Sequence, residues 1–270
     1  MSDSNPRPSS GIPPIVLAFA AADPTGGAGL QADVLTLAAM GCHPLSVVTA
    51  LTVQDTSGVE RLRAVEHEWV TEQARLLLAE MRVDAFKLGV LGSAQNVAAI
   101  AAVLAAHPEV PVVLDPVLAS GRGDPLASED IIGALREMIV PQSTVVTPNS
   151  VEARRLAGAS DLRECARRIL GMGADHVLIT GTHESTAEVV NTLYDAGGVV
   201  REDRWQRLAG SYHGSGCTLA SALAAAIAKG SPVAAAVYDA QDFTWRALAA
   251  GFRPGKGQFL PWRSPRDVRR

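Results

Sequence analysis

Cysteine is scarce in this chain of 270 residues: only Cys42, Cys165 and Cys217 occur. They cannot all pair with one another and lack the close spacing of a zinc or redox motif, so neither a disulfide framework nor a structural zinc site is expected, and a cytoplasmic setting is. No lysine or arginine stripe precedes the terminal segment 263–270, and the net charge is −4 with a pI near 5.9. The sequence-independent attraction to nucleic acid is therefore missing, and a small molecule is the expected partner. The longest apolar runs, 97–106 and 219–228, fall short of the roughly 20 residues that cross a bilayer, so no membrane is expected. Two nucleotide fingerprints are also missing. Leu219 stands where the third glycine of Gly-x-Gly-x-x-Gly would follow Gly214 and Gly216, which removes the best support for a dehydrogenase. Gly251 to Lys256 is one residue too short for a P-loop, with Gly257 where Ser or Thr would bind magnesium.

What is there is a rhythm. Residues 1–14 are rich in Ser and Pro, have no apolar core and read as a disordered tail. A chain that is 47% hydrophobic can bury one sizeable core, and the absence of a repeat or linker predicts a single domain over 15–262, followed by a basic tail over 263–270. Ile15 to Ala21 is a continuous apolar run that suits a strand buried on both faces. A helix is expected over 28–40, stopped by Gly41, then a strand over 45–51. Helices follow over 68–81, 94–106, 129–138, 151–156 and 161–170, with strands at 85–88, 112–114, 144–147 and 176–180. Such alternation predicts an α/β fold: three αβα layers around a mostly parallel sheet. Val189–Tyr194 and Val199–Trp205, joined by Asp195-Ala196-Gly197-Gly198, read as an edge hairpin. The last third is helical, over 217–228 and 232–250.

In an open parallel sheet, ligands collect beyond the carboxyl ends of the strands, and the chain's polar signatures lie in those loops. Gly214-Ser215-Gly216-Cys217 opens a helix. Its glycines let backbone amides approach an anion, and the helix dipole favours negative charge there, the Cys217 thiolate included. Asp23-Pro24-Thr25-Gly26-Gly27-Ala28-Gly29 offers the same device before another helix. Asn149 and Glu152, three apart after a strand, suit a hydrated magnesium ion or a helix cap, and the two uses are compatible. Asp115 sits at a strand end beside Pro116, as a turn former or a working carboxylate. Gln54 can read a polar heterocycle or cap its loop. His183 and His213 lie in Gly-rich loops without partners at metal spacing. Cys42 and Cys165 read as packing residues.

In order and spacing, a set of motifs running from Ile15 to Pro261 resembles the hydroxymethylpyrimidine and phosphomethylpyrimidine kinases of thiamine synthesis, within the ribokinase-like superfamily. The motifs are Asp23 to Asp33, Val48 to Thr56, Lys87-Leu88-Gly89-Val90-Leu91, Asp115-Pro116-Val117, Gly123 to Leu126, Thr147-Pro148-Asn149 with Glu152, and Gly214 to Thr218. The resemblance implies a ribokinase-like fold, ATP and Mg2+ as cofactors, a homodimer, and phosphorylation of 4-amino-5-hydroxymethyl-2-methylpyrimidine and then of its monophosphate. By position it places Ala28, Gln54, Val90 and Val117 in the pyrimidine pocket with Asp23 beside it, and Asp115, Thr180 and His213 toward the nucleotide. Asn149 and Glu152 would organise magnesium. Gly214, Ser215 and Gly216 would hold the transferring phosphoryl group, with Cys217, its pKa lowered by the helix start, as the base. The chain departs from the family pattern at Ala21 and Ala22, at Val90 and at Thr180, where glycine with a small hydroxyl residue, methionine and lysine are common. A pyridoxal or pyridoxine kinase and a non-catalytic pyrimidine-binding protein are the alternatives.

Overall fold

The computed structural model describes residues 11–264, and the terminal segments 1–10 and 265–270, parts of the two expected tails, lie outside the described residues. Its centre is one nine-stranded sheet in the order β3-β2-β1-β4-β5-β6-β7-β8-β9. The strands are β1 (Ile15–Ala22), β2 (His43–Gln54), β3 (Val59–Ala64), β4 (Ala85–Leu88), β5 (Val112–Leu114), β6 (Val145–Val146), β7 (His176–Ile179), β8 (Glu188–Asp195) and β9 (Gly198–Gln206). The six strands from β2 to β7 in that order run parallel, while β3 at one edge and the β8–β9 hairpin at the other are antiparallel.

Among the described residues, eight α-helices fill the outer layers: α1 (Gly29–Ala39), α2 (His67–Glu80), α3 (Ala94–Ala105), α4 (Glu129–Ala134), α5 (Ser150–Ala157), α6 (Leu162–Gly171), α7 (Ser215–Ala228) and α8 (Val233–Ala249). The period-2 geometry of the strands divides the core between them. Along β1, Leu17 and Phe19 enter the cluster formed with α2 to α6. Val16, Ala18 and Ala20 enter the one formed with α1, α7 and α8. Burying a side chain the size of Phe19, wholly hidden from solvent, stabilises the fold by about 1.5–3 kcal/mol. The second cluster is built largely of alanine, so α7, buried along most of its length, seats close against the sheet.

Helix starts divide into two kinds. Ser93, Ser128, Asn149 and Asp161 cap α3, α4, α5 and α6 with side-chain oxygens, satisfying amides that a helix leaves free. The starts of α1, at Ala28, α2, at Glu66, α7, at Gly214, and α8, at Pro232, have no side-chain cap. Of these, the starts of α1 and α7 carry glycine loops that open at the carboxyl ends of the parallel strands. The segment β3 escapes the sequence expectation, because Val-Glu-Arg-Leu-Arg-Ala is a largely solvated edge with little apolar signal. The expected helix over 129–138 changes at Leu135 into a π turn. No helix among the described residues is long and apolar enough to cross a membrane.

Candidate active site

A cavity of about 500 Å³ opens at the carboxyl ends of the strands, and all fourteen residues singled out from the sequence line it. The two glycine loops meet there. Gly214 has φ +78°, and a Cβ on it would lie 1.9 Å from the Gly27 carbonyl oxygen. A side chain at this point would part the loops, so glycine is required by packing as well as by access to an anion. Just before the first loop, the β1–β2 register slips between Ala20 and Ala21, a bulge that re-aims the strand end.

Asp23 is the hub of the first loop. Its carboxylate accepts from the Thr25 amide at 2.8 Å, the Thr25 hydroxyl at 2.9 Å and the Ala28 amide at 2.7 Å, and lies 2.8 Å from His213 Nε2. Burial alone would raise its pKa, but the His213 and Thr25 hydrogen bonds hold it below the ordinary carboxylate value. Asp23, expected beside the pyrimidine, and His213, expected toward the nucleotide, thus face each other, locking one glycine loop to the other.

Beneath these loops lies a dry charge cluster. Lys87 Nζ, on β4, stands 2.8 Å from Asp33 Oδ1 of α1, with both side chains wholly buried, and Ser221 donates to the same Asp33 oxygen at 2.8 Å. Asp33 Oδ2 and Asp115 Oδ2 are buried without a hydrogen-bond partner. Desolvation would lower the Lys87 pKa, but Asp33, then Cys217 and Asp115, raise it, so the ammonium persists. Asp115 is pushed up to about 6, by burial against the opposing pull of Lys87. Cys217 corrects an expectation: its pKa is not lowered but raised to about 12, because desolvation of the half-buried residue and the charges of Asp115 and Asp33 outweigh Lys87 and a hydrogen bond with the Gly29 backbone. Without ligand, Cys217 is a thiol.

Asn149 and Glu152 form a full capping box: Asn149 Oδ1 accepts from the Val151 and Glu152 amides at 2.9 Å, and Glu152 Oε2 accepts from the Asn149 amide at 2.9 Å. Burial, then the charge of Asp115, lifts Glu152 to about 8. A carboxylate so short of positive charge fits a nearby cation. With its oxygens already engaged, and no cluster of three metal-ligating side chains among the described residues, the fit is to a hydrated magnesium ion held through water.

The opposite wall was not foreseen. Gln241 of α8 accepts from Asn191 at 2.8 Å and from the Trp205 indole at 2.9 Å, and donates to Asp203 at 2.7 Å. Asn191 in turn accepts from the Gly181 amide beside Thr180 at 3.0 Å. Trp205 and Trp245 stack with centroids 6.4 Å apart. Lys87, Asp33 and Arg263 were also missed as site residues. Arg263, assigned to the basic tail, is only 6% exposed and reaches both glycine loops. A lysine inside the apolar run Ala85-Phe86-Lys87-Leu88 was the available signal for a buried charge; Arg263 had none.

The model of the phosphomethylpyrimidine kinase family matches residues 23–262. A hydroxymethylpyrimidine/phosphomethylpyrimidine kinase of Streptomyces coelicolor is 39% identical over 254 residues, covering 91% of this chain and 92% of that one. Among solved structures, the phosphomethylpyrimidine kinase of Clostridium difficile superposes with a TM-score of 0.76 at 28% identity, over 87% of this chain and 99% of that one. The pyridoxal kinase of Staphylococcus aureus in complex with AMP-PCP and pyridoxal superposes with 0.85 at 26% identity, over 95% and 96%. With this match and the convergence of its loops on one cavity, the chain belongs to the phosphomethylpyrimidine kinase family.

Proposed function

We propose that this kinase transfers the γ-phosphoryl group of ATP to the hydroxymethyl group of 4-amino-5-hydroxymethyl-2-methylpyrimidine, and then a second phosphoryl group to the monophosphate, in thiamine synthesis. The observation that carries this reading is the uncapped start of α7, which faces the loop 23–29 across one cavity. The free amides of Ser215, Gly216 and Cys217 would cradle the migrating phosphoryl group, whose transfer asks for positioning and charge stabilisation more than covalent work. Ala28, Gln54, Val90 and Val117 would hold the flat pyrimidine, with Gln54 on its polar edge. The nucleotide would extend from Thr180 toward Trp205 and Trp245.

In the first transfer the alcohol oxygen bonds to the γ-phosphorus as the bond to the β,γ-bridging oxygen breaks and ADP leaves. The alcohol proton passes to Cys217 while the thiol proton passes to Asp115, whose unpartnered oxygen is ready to take it. Magnesium, when bound with ATP, would neutralise phosphate charge. Asn149 and Glu152 would hold it through water. A cytoplasmic homodimer goes with this reading, supported by the family resemblance alone, and sedimentation tests the oligomer.

A pyridoxal kinase is the second reading, favoured by the higher TM-score of the Staphylococcus aureus pyridoxal kinase, 0.85 against 0.76. The test is mass analysis of products after incubation with ATP, magnesium, and equal hydroxymethylpyrimidine and pyridoxine. Mono- and diphosphorylated pyrimidine are expected. Preferential phosphorylation of pyridoxine overturns the substrate, and ligand-induced stabilisation without turnover overturns the activity.

A further inference from the structure

Arg263 lies one residue beyond the stretch matched by the family model, yet its guanidinium is buried under the active site. Nε donates to Thr218 Oγ1 at 2.9 Å, Nη1 to the Gly26 carbonyl at 3.3 Å, and Nη2 to the Gly27 carbonyl and, at 3.5 Å, to the Gly214 carbonyl. The Thr218 hydroxyl in turn donates a hydrogen bond to the Gly214 carbonyl at 2.8 Å. One planar fork thus grips both glycine loops from behind, a geometry that a lysine's point charge cannot reproduce. The approach to Arg263 is fixed as well: the Trp262 amide donates to Ala247 at 2.8 Å and the His213 amide to Phe259 at 2.8 Å.

The contact does more than hold loops together. In a planar trans peptide the carbonyl and the next amide point opposite ways. The Gly214 carbonyl accepts the Thr218 amide at 3.0 Å, which aims the Ser215 amide out of the helix mouth toward the cavity that Ser215 lines, and the Thr218 hydroxyl and Arg263 hold the carbonyl in that direction from behind. The guanidinium also places a full positive charge behind amides that carry only partial ones. A fixed charge in a water-poor site acts most strongly on the state with most negative charge at the mouth.

We propose that Arg263 is a positioning residue for phosphoryl transfer: it orients the amides at the start of α7 and lends them charge, so that they hold the migrating phosphoryl group better than they hold bound ATP. The inference rests on the kinase reading and extends it to a residue that touches no substrate.

Its test separates the two bound states by calorimetry, using magnesium and hydroxymethylpyrimidine with either AMP-PCP, as ground state, or ADP and aluminium fluoride, as mimic of the migrating group. Arg263→Gln is expected to weaken the aluminium fluoride complex more than tenfold and the AMP-PCP complex less than threefold, with kcat falling and KM for ATP nearly unchanged. Arg263→Lys, which keeps charge but loses the fork, is expected to fall between. Should Arg263→Gln fail to fold, Arg263→Lys carries the same comparison with the same sign. Equal weakening of both complexes, or of neither, overturns the inference and leaves a structural clamp. A wild-type protein that neither phosphorylates the pyrimidine nor binds the aluminium fluoride complex overturns the kinase reading itself, and the inference with it.

Discussion

The floor of the cavity, under β1, β4 and β5, leaves Asp33 Oδ2 and Asp115 Oδ2 buried and unpartnered around one lysine. On the wall formed by β8, β9 and α8, every polar group of the Asn191–Gln241–Trp205–Asp203 network has a partner, and Arg201 closes it with two bonds of 2.7 Å to Asp203. An unmet buried polar group is costly, and a met one stiffens its surroundings. The two regions therefore suit different work. The floor keeps carboxylates short of positive charge, poised for protons and cations, whereas the wall is a finished surface against which a flat group can be laid.

Breaking the floor has the largest expected effect. Lys87→Met strands Asp33 and Asp115 without their cation, and loss of one partner of a buried pair costs about 3–5 kcal/mol. Urea denaturation should show this loss, and adding Asp33→Asn should recover at least half of it. Cys217→Ala comes next, slowing the first phosphorylation about 100-fold, at the low end of general-base effects. The second transfer should change far less, since its nucleophile is a phosphate already mostly ionised at neutral pH. Single-turnover rates with alcohol and monophosphate check this, and equal losses would contradict the proton-relay role. On the wall, Gln241→Leu orphans the donors of Asn191 and Trp205. It should cost about 1–3 kcal/mol of stability and raise KM for ATP, leaving the pyrimidine KM unchanged.

The last effect is graded rather than abrupt, a pH slope set by the buried carboxylates of the site. Glu152 titrates near 8 in the fold against an ordinary 4.5, and Asp115 near 6 against 3.8. Between those values the folded state binds more protons than the unfolded one, so stability falls as pH rises, by at most about 1.4 kcal/mol per unit for each group. Urea midpoints should decline from pH 5 to 8 in the free protein, and magnesium with ADP should flatten the decline. A midpoint that rises over this range would remove the case for the strained floor.

The sequence disclosed what depends on period and punctuation. Gly41 marked the end of α1, and the alternation of apolar runs with helical stretches told the three-layer order. The cavity's lining was legible through glycines and strand-end carboxylates because the loops after parallel strands collect at one end of the sheet, although the same residue types also serve as turn formers and caps. Three things were hidden. Lys87 and Asp33 are residue types that normally face water, and although the apolar run around Lys87 signalled burial, their partnership exists only once β4 meets α1. Arg263 sits in a run of basic residues that resembles a solvated tail. The thiol of Cys217 was judged by the helix start alone, while its burial and the approach of Asp115 and Asp33 are products of the tertiary fold.

The bond from Arg263 to Gly27 spans 236 residues of chain. Synthesis proceeds from the amino end, so the first glycine loop is made long before the side chain that fastens it. A nascent chain can lay down β1, pair its neighbours and bury most of its core, yet it cannot close the mouth of α7 until position 263 has been added. The order of translation thereby delays competence until every strand and helix of this domain has already been made.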